Sequence, residues 1–264
     1  AAAGGSVFLV LDLGRPERLL NMFRVFKVTS PMSVGSWILG TFATASSLPA
    51  LHEADKLTKQ KLPVPKFVRK ALGAAAGPAG VAAGILGGPL AGYTAVLLGN
   101  TSNPTWNDAK QHLPYVFVSS ASAAASGCAM VFTPVESAGP ARALGMAAAA
   151  SDLVMTKVME ENMEPETVAP LHNGTPGKLM KASEYLIAAG GIGTALAAAT
   201  KSRTLSVLSG LSLMAGSACT RFGVLNAGIE AVKDPATTIE PQKRRAARKR
   251  AQEGLAHSVV TSKH

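Results

Sequence analysis

Asp12 and Arg15 stand three residues apart in the stretch Leu11-Asp12-Leu13-Gly14-Arg15-Pro16-Glu17-Arg18, at the end of an apolar segment. One reading is a salt-bridged pair at a helix end. The other is a carboxylate and a guanidinium where a membrane span meets water, which is what proton-coupled redox chemistry needs. Other polar side chains lie inside or beside apolar runs: Tyr93, Trp106, His112, Asp152, Glu184 and Arg221. An ionisable group embedded in a bilayer is costly, so it is normally paired or functional. Tyr93 reads either as a hydrogen-bond donor in a site or as an interfacial tyrosine. Trp106 reads better as an interfacial belt residue. Asp152 reads equally as a proton carrier or as a partner for a neighbouring helix.

The elements that position these groups are apolar helices. The chain has 264 residues, 47% hydrophobic and only 16% charged. Its mean hydropathy of +0.22 is modest, because alanine and the 26 glycines fill apolar helices without scoring like leucine. Between short charged blocks lie apolar runs of about 18 residues or more, long enough to cross a bilayer. The fold class expected is all-α, a polytopic integral membrane helical bundle. The transmembrane domain is placed at residues 1–232, with a partial helix at 1–13. Complete spans follow at about 32–50, 71–98, 113–132, 141–159, 179–200 and 204–231. Residues 1–11 are too few to span, so the beginning of their helix is expected to precede the sequence given. A solvated, partly disordered basic tail occupies 233–264.

Local signals refine the spans. Ser30-Pro31 suits the start of a helix, with Ser30 as a cap. Gly80, Gly84, Gly88 and Gly92 form a stripe at which a neighbouring helix could approach closely, and Pro78 and Pro89 should kink that span. Alternation of the spans puts Tyr93, Trp106, His112, Asp152, Glu184 and Arg221 towards the membrane face that holds Arg15. A one-sided cluster suggests a polar pocket opening near that face. The basic loop between His52 and Lys70 opposes the basic stretches at Arg15–Lys27 and in the tail, so the positive-inside rule is split and the orientation stays open.

Composition also excludes functions. Cys128 and Cys219 fall in separate apolar runs and form no CxxC pair, which argues against an iron–sulfur cluster or a zinc site in this chain. His52, His112 and His172 fall in loops or at span ends, and His257 and His264 in the tail, so no haem is expected. The net charge of +10 sits in loops and tail, where it suits anionic lipid headgroups better than nucleic acid.

The first block, with Asn21-Met22, Arg24-Val25-Phe26-Lys27 and Ser30-Pro31-Met32-Ser33, resembles the signature of the polysulfide reductase membrane-subunit (NrfD/PsrC-type) family. Gly92-Tyr93-Thr94-Ala95-Val96-Leu97-Leu98 with Asn103-Pro104-Thr105-Trp106 is similar to its second signature. Thr220-Arg221-Phe222-Gly223 through Lys233-Asp234-Pro235 is similar to a third. The resemblance implies a pair of four-helix bundles, with the first helix and most of the second expected to be missing at the N-terminus. It implies a multi-pass subunit of a bacterial cytoplasmic membrane that anchors a multi-cluster, ferredoxin-like iron–sulfur subunit and a molybdopterin catalytic subunit. Such a subunit exchanges electrons with quinone, menaquinone here, and is not catalytic alone.

The residues agree with that role. Quinol oxidation releases two electrons and two protons, so a hydrogen-bonding group and a proton acceptor are needed near the quinone oxygens. The expected quinone and proton-transfer residues are Asp12, Arg15, Tyr93 and Asp152. Tyr93 would bond a quinone carbonyl, Asp12 would pass protons to water, and Arg15 would hold Asp12 charged or contact a ring oxygen. With no haem or cluster expected, a partner's cluster must come close. The connectors at residues 100–111 and 160–178, with 15–27, are the expected docking surface. A secondary transporter and a purely structural anchor are the alternatives.

Overall fold

Among the described residues, ten short or long stretches of helix follow one another from Pro31 onward. The computed structural model describes residues 17, 21, 23–58 and 65–253, and among these no strand occurs. The helices are α1 (Pro31–Leu57), α2 (Lys66–Gly99), α3 (Pro104–Asp108), a 3-10 turn (Ala109–Gln111), α4 (Leu113–Phe132), α5 (Gly139–Glu161), α6 (Pro165–His172), α7 (Gly174–Thr200), α8 (Arg203–Lys233) and α9 (Ala236–Glu253). The fold is the all-α helical arrangement expected from the alternation of apolar runs.

Proline sits in the first turn of α1, α3, α4, α5 and α6, where its missing N–H costs nothing. Ser30 does stand at the N-cap of α1, but its side chain makes no capping bond. Ser33 instead accepts from the Lys27 N–H at 3.1 Å and donates to the Val25 carbonyl at 3.0 Å. Among the described residues, four helices are long and apolar enough to cross a membrane: α2, α4, α7 and α8. The chain is a multi-pass membrane protein on that basis. The remaining two expected spans correspond to α1 and α5, with 27 and 23 residues. Both are long enough, but hydroxyls and glycines dilute α1, and Asp152, Lys157, Glu160 and Glu161 interrupt α5. The basic tail, expected to be partly disordered, carries α9.

The chain divides into two compact units, residues 1–97 and 98–264. In the first, α1 and α2 pair as an antiparallel hairpin. Tyr93 packs on Gly35, whose missing Cβ leaves room for the ring. Further along, Phe42 meets Gly87 and the His52 ring meets Gly73. At the loop end, Asp55 accepts from Arg69 Nε at 2.6 Å and Nη2 at 3.2 Å. Phe23 and Phe26 pack edge-on to Trp37, with centroids 5.8 and 5.9 Å away. In the glycine stripe of α2, no neighbouring side chain or other helix among the described residues lies within 4 Å of a would-be Cβ at Gly80, Gly84 and Gly88, whereas Gly92 is buried.

The second unit is a bundle of α4, α5, α7 and α8. Its core is made of small residues: Ala123, Ala148 and Ala149 with Ile187 and Leu213. Buried serines and threonines share it, while Phe132, Leu144, Ile192, Leu196 and Val232 point outward. This inversion suits lipid, which rewards close backbone approach and satisfied hydroxyls inside, and tolerates large apolar side chains outside. Glycines set the crossings. Gly190 lies against Leu213 and Gly216 against Ile187 along the α7–α8 seam, and Gly127 faces Gly210 where α4 crosses α8. Lys201, with φ of 50°, makes the left-handed turn after α7, and Ser202 then caps α8 by accepting from the Leu205 N–H.

Candidate functional site

Asp152 lies on α5 within the second unit and is 3% exposed. Its Oδ1 accepts a 3.2 Å hydrogen bond from Ser119 of α4. No cation of the described residues reaches it within salt-bridge distance, although Arg221 of α8 acts on it electrostatically. Arg221 is otherwise engaged: its guanidinium lies 4.6 Å from the centre of the Phe117 ring, and Nη2 donates to the Phe117 carbonyl at 3.2 Å. A cation held over an aromatic face and tied to a carbonyl is a stable resting place at membrane depth. A carboxylate with one hydroxyl partner is less completely satisfied.

A cavity of about 490 Å³ opens beside this group. Its walls come from α5 (Asp152, Leu153, Thr156, Lys157, Glu160) and α7 (Met180, Lys181, Glu184, Ala188), with His172 of α6 at one end. His172 Nε2 stands 3.1 Å from Glu160 Oε2. The residues at 152, 156 and 160, and at 177, 181, 184 and 188, recur at helical spacing, so both faces present a ladder of polar and small groups. Volume and mixed lining fall in the range of small-molecule pockets.

Behind the cavity the bundle core is hydroxyl-rich. Ser183 donates to the Gly216 carbonyl at 2.9 Å and lies 2.5 Å from Thr220 Oγ1. Ser120 donates to Ser217 at 2.9 Å. These pairs join α7 and α4 to α8 without any charge.

The connectors close the end of the bundle nearest the cavity. Thr105 donates to the Thr167 carbonyl at 2.8 Å, and Asp108 Oδ2 accepts from the Glu164 N–H at 2.8 Å and from Thr167 Oγ1 at 2.5 Å. Asn103 donates to the Gly228 carbonyl at 2.7 Å and Trp106 Nε1 to that of Val224 at 2.8 Å, with the indole seated on Gly228. Trp106 therefore locks the connector to α8, where the sequence reading favoured a belt residue. Arg244 of α9 pairs with Glu166 at 2.9 and 2.5 Å and lies 3.6 Å from Glu164.

Of the expected site residues, Asp12 and Arg15 lie outside the described residues. Tyr93 belongs to the first unit, half-buried on Gly35, and Asp152 to the second. The sequence reading named both Asp152 and Glu184, which line one cavity, but did not bring Lys157, Glu160, His172 and Lys181 to that cavity or Ser119 to Asp152. Glu160 follows Asp152 by eight residues, close to two helical turns, a signal that was available. The Ser119 contact crosses from one helix to another and had none.

The fold and site define a polytopic helical membrane protein with a buried acid beside a polar cavity. The family described as polysulphide reductase, NrfD, matches residues 1–137. That is just over half of the chain, and the chain belongs to this family. The match covers the first two of the three resembling stretches and ends before Asp152, so the cavity lies beyond it. No curated protein and no solved structure matches the chain.

Proposed function

We propose that this chain is the membrane anchor and quinone-reactive subunit of a multi-subunit oxidoreductase. It exchanges electrons between the quinone pool, menaquinone in this reading, and an iron–sulfur partner that serves a molybdopterin catalytic subunit, in a bacterial cytoplasmic membrane. Family membership supports the membrane-subunit part of this reading. The observation that carries the chemistry is Asp152, a buried carboxylate held by one serine at the wall of a cavity. A group of that kind can take up and pass on the protons that accompany quinone turnover.

In this reading Asp12, Arg15 and Tyr93 serve the headgroup. Tyr93 donates to a quinone oxygen, Asp12 accepts a proton and Arg15 keeps Asp12 charged. Asp152 serves as an acid of the proton route. The chain's own residues bind, orient and move protons; the electrons pass to a cluster on the partner.

The test pairs two assays on the assembled complex, one with a quinone analogue and one with a soluble artificial acceptor. Asp12→Asn keeps the shape and removes the acceptor, so it should slow quinone-linked turnover far more than assembly. Tyr93→Phe removes one hydrogen bond of about 1 kcal/mol, for a loss of affinity of around tenfold or less. Both variants should keep full activity with the soluble acceptor. Full quinone activity in both would return Asp12 and Arg15 to a structural ion pair and remove Tyr93 from the site.

A further inference from the structure

The cavity between α5 and α7 is lined by charges that the protein leaves unpaired. A Cβ added at Gly191 would meet Ala149 Cβ at 2.9 Å, which fixes the register of α5 against the antiparallel α7. Equal steps from that contact bring Asp152 level with Ala188, Lys157 level with Glu184, and Glu160 level with Lys181. Each of the last two levels carries one carboxylate and one ammonium on facing helices. Glu160 is engaged by His172 at 3.1 Å, but among the described residues Lys157, Lys181 and Glu184 make no ion pair. A space of about 490 Å³ holds the two helices' charges apart. Unpaired charges at membrane depth are costly, and a guest that carries both signs relieves them. A guest of one sign meets like charge, because the lysines oppose a cation and the carboxylates an anion.

The cavity opens through the outer wall of the bundle. Val154, one of its lining residues, is 54% exposed, and Tyr185 beside Glu184 is 72% exposed. Ile192 and Leu196 continue that apolar exterior along α7. We propose that this cavity holds the headgroup of a phospholipid with a phosphate and a primary ammonium, as in phosphatidylethanolamine. The phosphate accepts from Lys157 and Lys181, the ammonium donates to Glu184, and the acyl chains lie along the exposed apolar face. A primary ammonium has N–H donors for Glu184, whereas a choline group has none. Phosphatidylglycerol brings no cation at all. The site therefore selects ethanolamine over both. It uses none of Asp12, Arg15 and Tyr93 and stands apart from the quinone reading.

The experiment uses the full chain in detergent micelles doped with equal amounts of phosphatidylethanolamine, phosphatidylcholine and phosphatidylglycerol of the same acyl chains. Native mass spectrometry counts the lipids that stay bound. The wild type should retain one phosphatidylethanolamine at about ten times the occupancy of either other lipid, as expected where a hydrogen bond to a charged group decides. Glu184→Gln should bring phosphatidylethanolamine down to the level of phosphatidylcholine. Lys157→Gln combined with Lys181→Gln should lower both lipids, whereas Lys178→Gln, outside the cavity, should change neither. All four side chains are exposed, so the variants keep the fold. Excess free phosphoethanolamine should leave the lipid in place, since it has no chains to rest on the apolar face. Equal retention of the three lipids by the wild type, or an ethanolamine preference that survives both cavity variants, would overturn the site. Displacement of the lipid by free phosphoethanolamine would overturn its assignment to a lipid.

Discussion

The crossing of α4 and α8 at Gly127 and Gly210 offers a sharp test of how this bundle is held together. A Cβ added at Gly210 would stand 2.6 Å from the Gly127 carbonyl oxygen and 3.2 Å from Val131 Cγ2. Ordinary contact begins at 3.4 Å, so the two backbones would have to part by roughly 0.8 Å. A carbonyl oxygen in a helix cannot rotate away as a side chain can. Overpacking of this kind costs about 1–3 kcal/mol. The better helix propensity of alanine offsets about 0.5–1 kcal/mol of it. Gly210→Ala should therefore destabilise the protein by a net of about 0.5–2 kcal/mol. Gly127→Ala should behave alike, since its Cβ would run into the Gly210 carbonyl. The double variant should cost less than the sum, because one separation of the helices admits both methyl groups. Gly80→Ala is the control: with no neighbouring side chain or other helix among the described residues within 4 Å, it should be neutral or stabilising by about 0.5–1 kcal/mol. Unfolding in mixed micelles with rising sodium dodecyl sulfate, followed by circular dichroism, measures all four. Wild-type stability in Gly210→Ala, or an equal loss in Gly80→Ala, would refute the close crossing.

Two further outcomes follow from polar contacts. Arg203 Nη1 donates to the Met130 and Thr133 carbonyls at 2.9 and 2.5 Å, and Nη2 to that of Val131 at 2.5 Å, so it closes the C-terminal end of α4. Arg203→Met should lower stability by about 1–2 kcal/mol in the same assay and speed hydrogen exchange in the last turn of α4 before any other part of the bundle. Arg69→Met leaves Asp55, which is 4% exposed, without its bidentate partner. A loss of about 2–4 kcal/mol is expected, and Asp55→Asn in the same chain should recover part of it, as neutralising an orphaned charge does.

The sequence by itself determined the class. Apolar runs long enough for a bilayer, charges gathered in short blocks and prolines at run starts point to the long helices α1, α2, α4, α5, α7 and α8, because helix length and apolarity are local properties, whereas the short α3 and α6 fall in stretches that read as connectors. The family was likewise legible, since Asp12, Arg15 and their neighbours lie close together in the chain. Asp152 and Glu184, both read from the sequence as charges embedded in apolar runs, line one cavity.

Tertiary structure decided the partners. Ser119 reaches Asp152 across 33 residues and Trp106 reaches Val224 across 118. Such pairings depend on which helices adjoin and how they are rotated. In an apolar solvent that choice is made by small residues packing backbone to backbone, a property of two helices at once. The same reason explains the glycines. The regular stripe of Gly80, Gly84 and Gly88 looked like a contact surface but meets no described neighbour. The isolated Gly127 and Gly210 form the closest kind of crossing. Spacing along one helix shows where an approach is possible; only the facing helix, with its own gap at the same height, makes it occur.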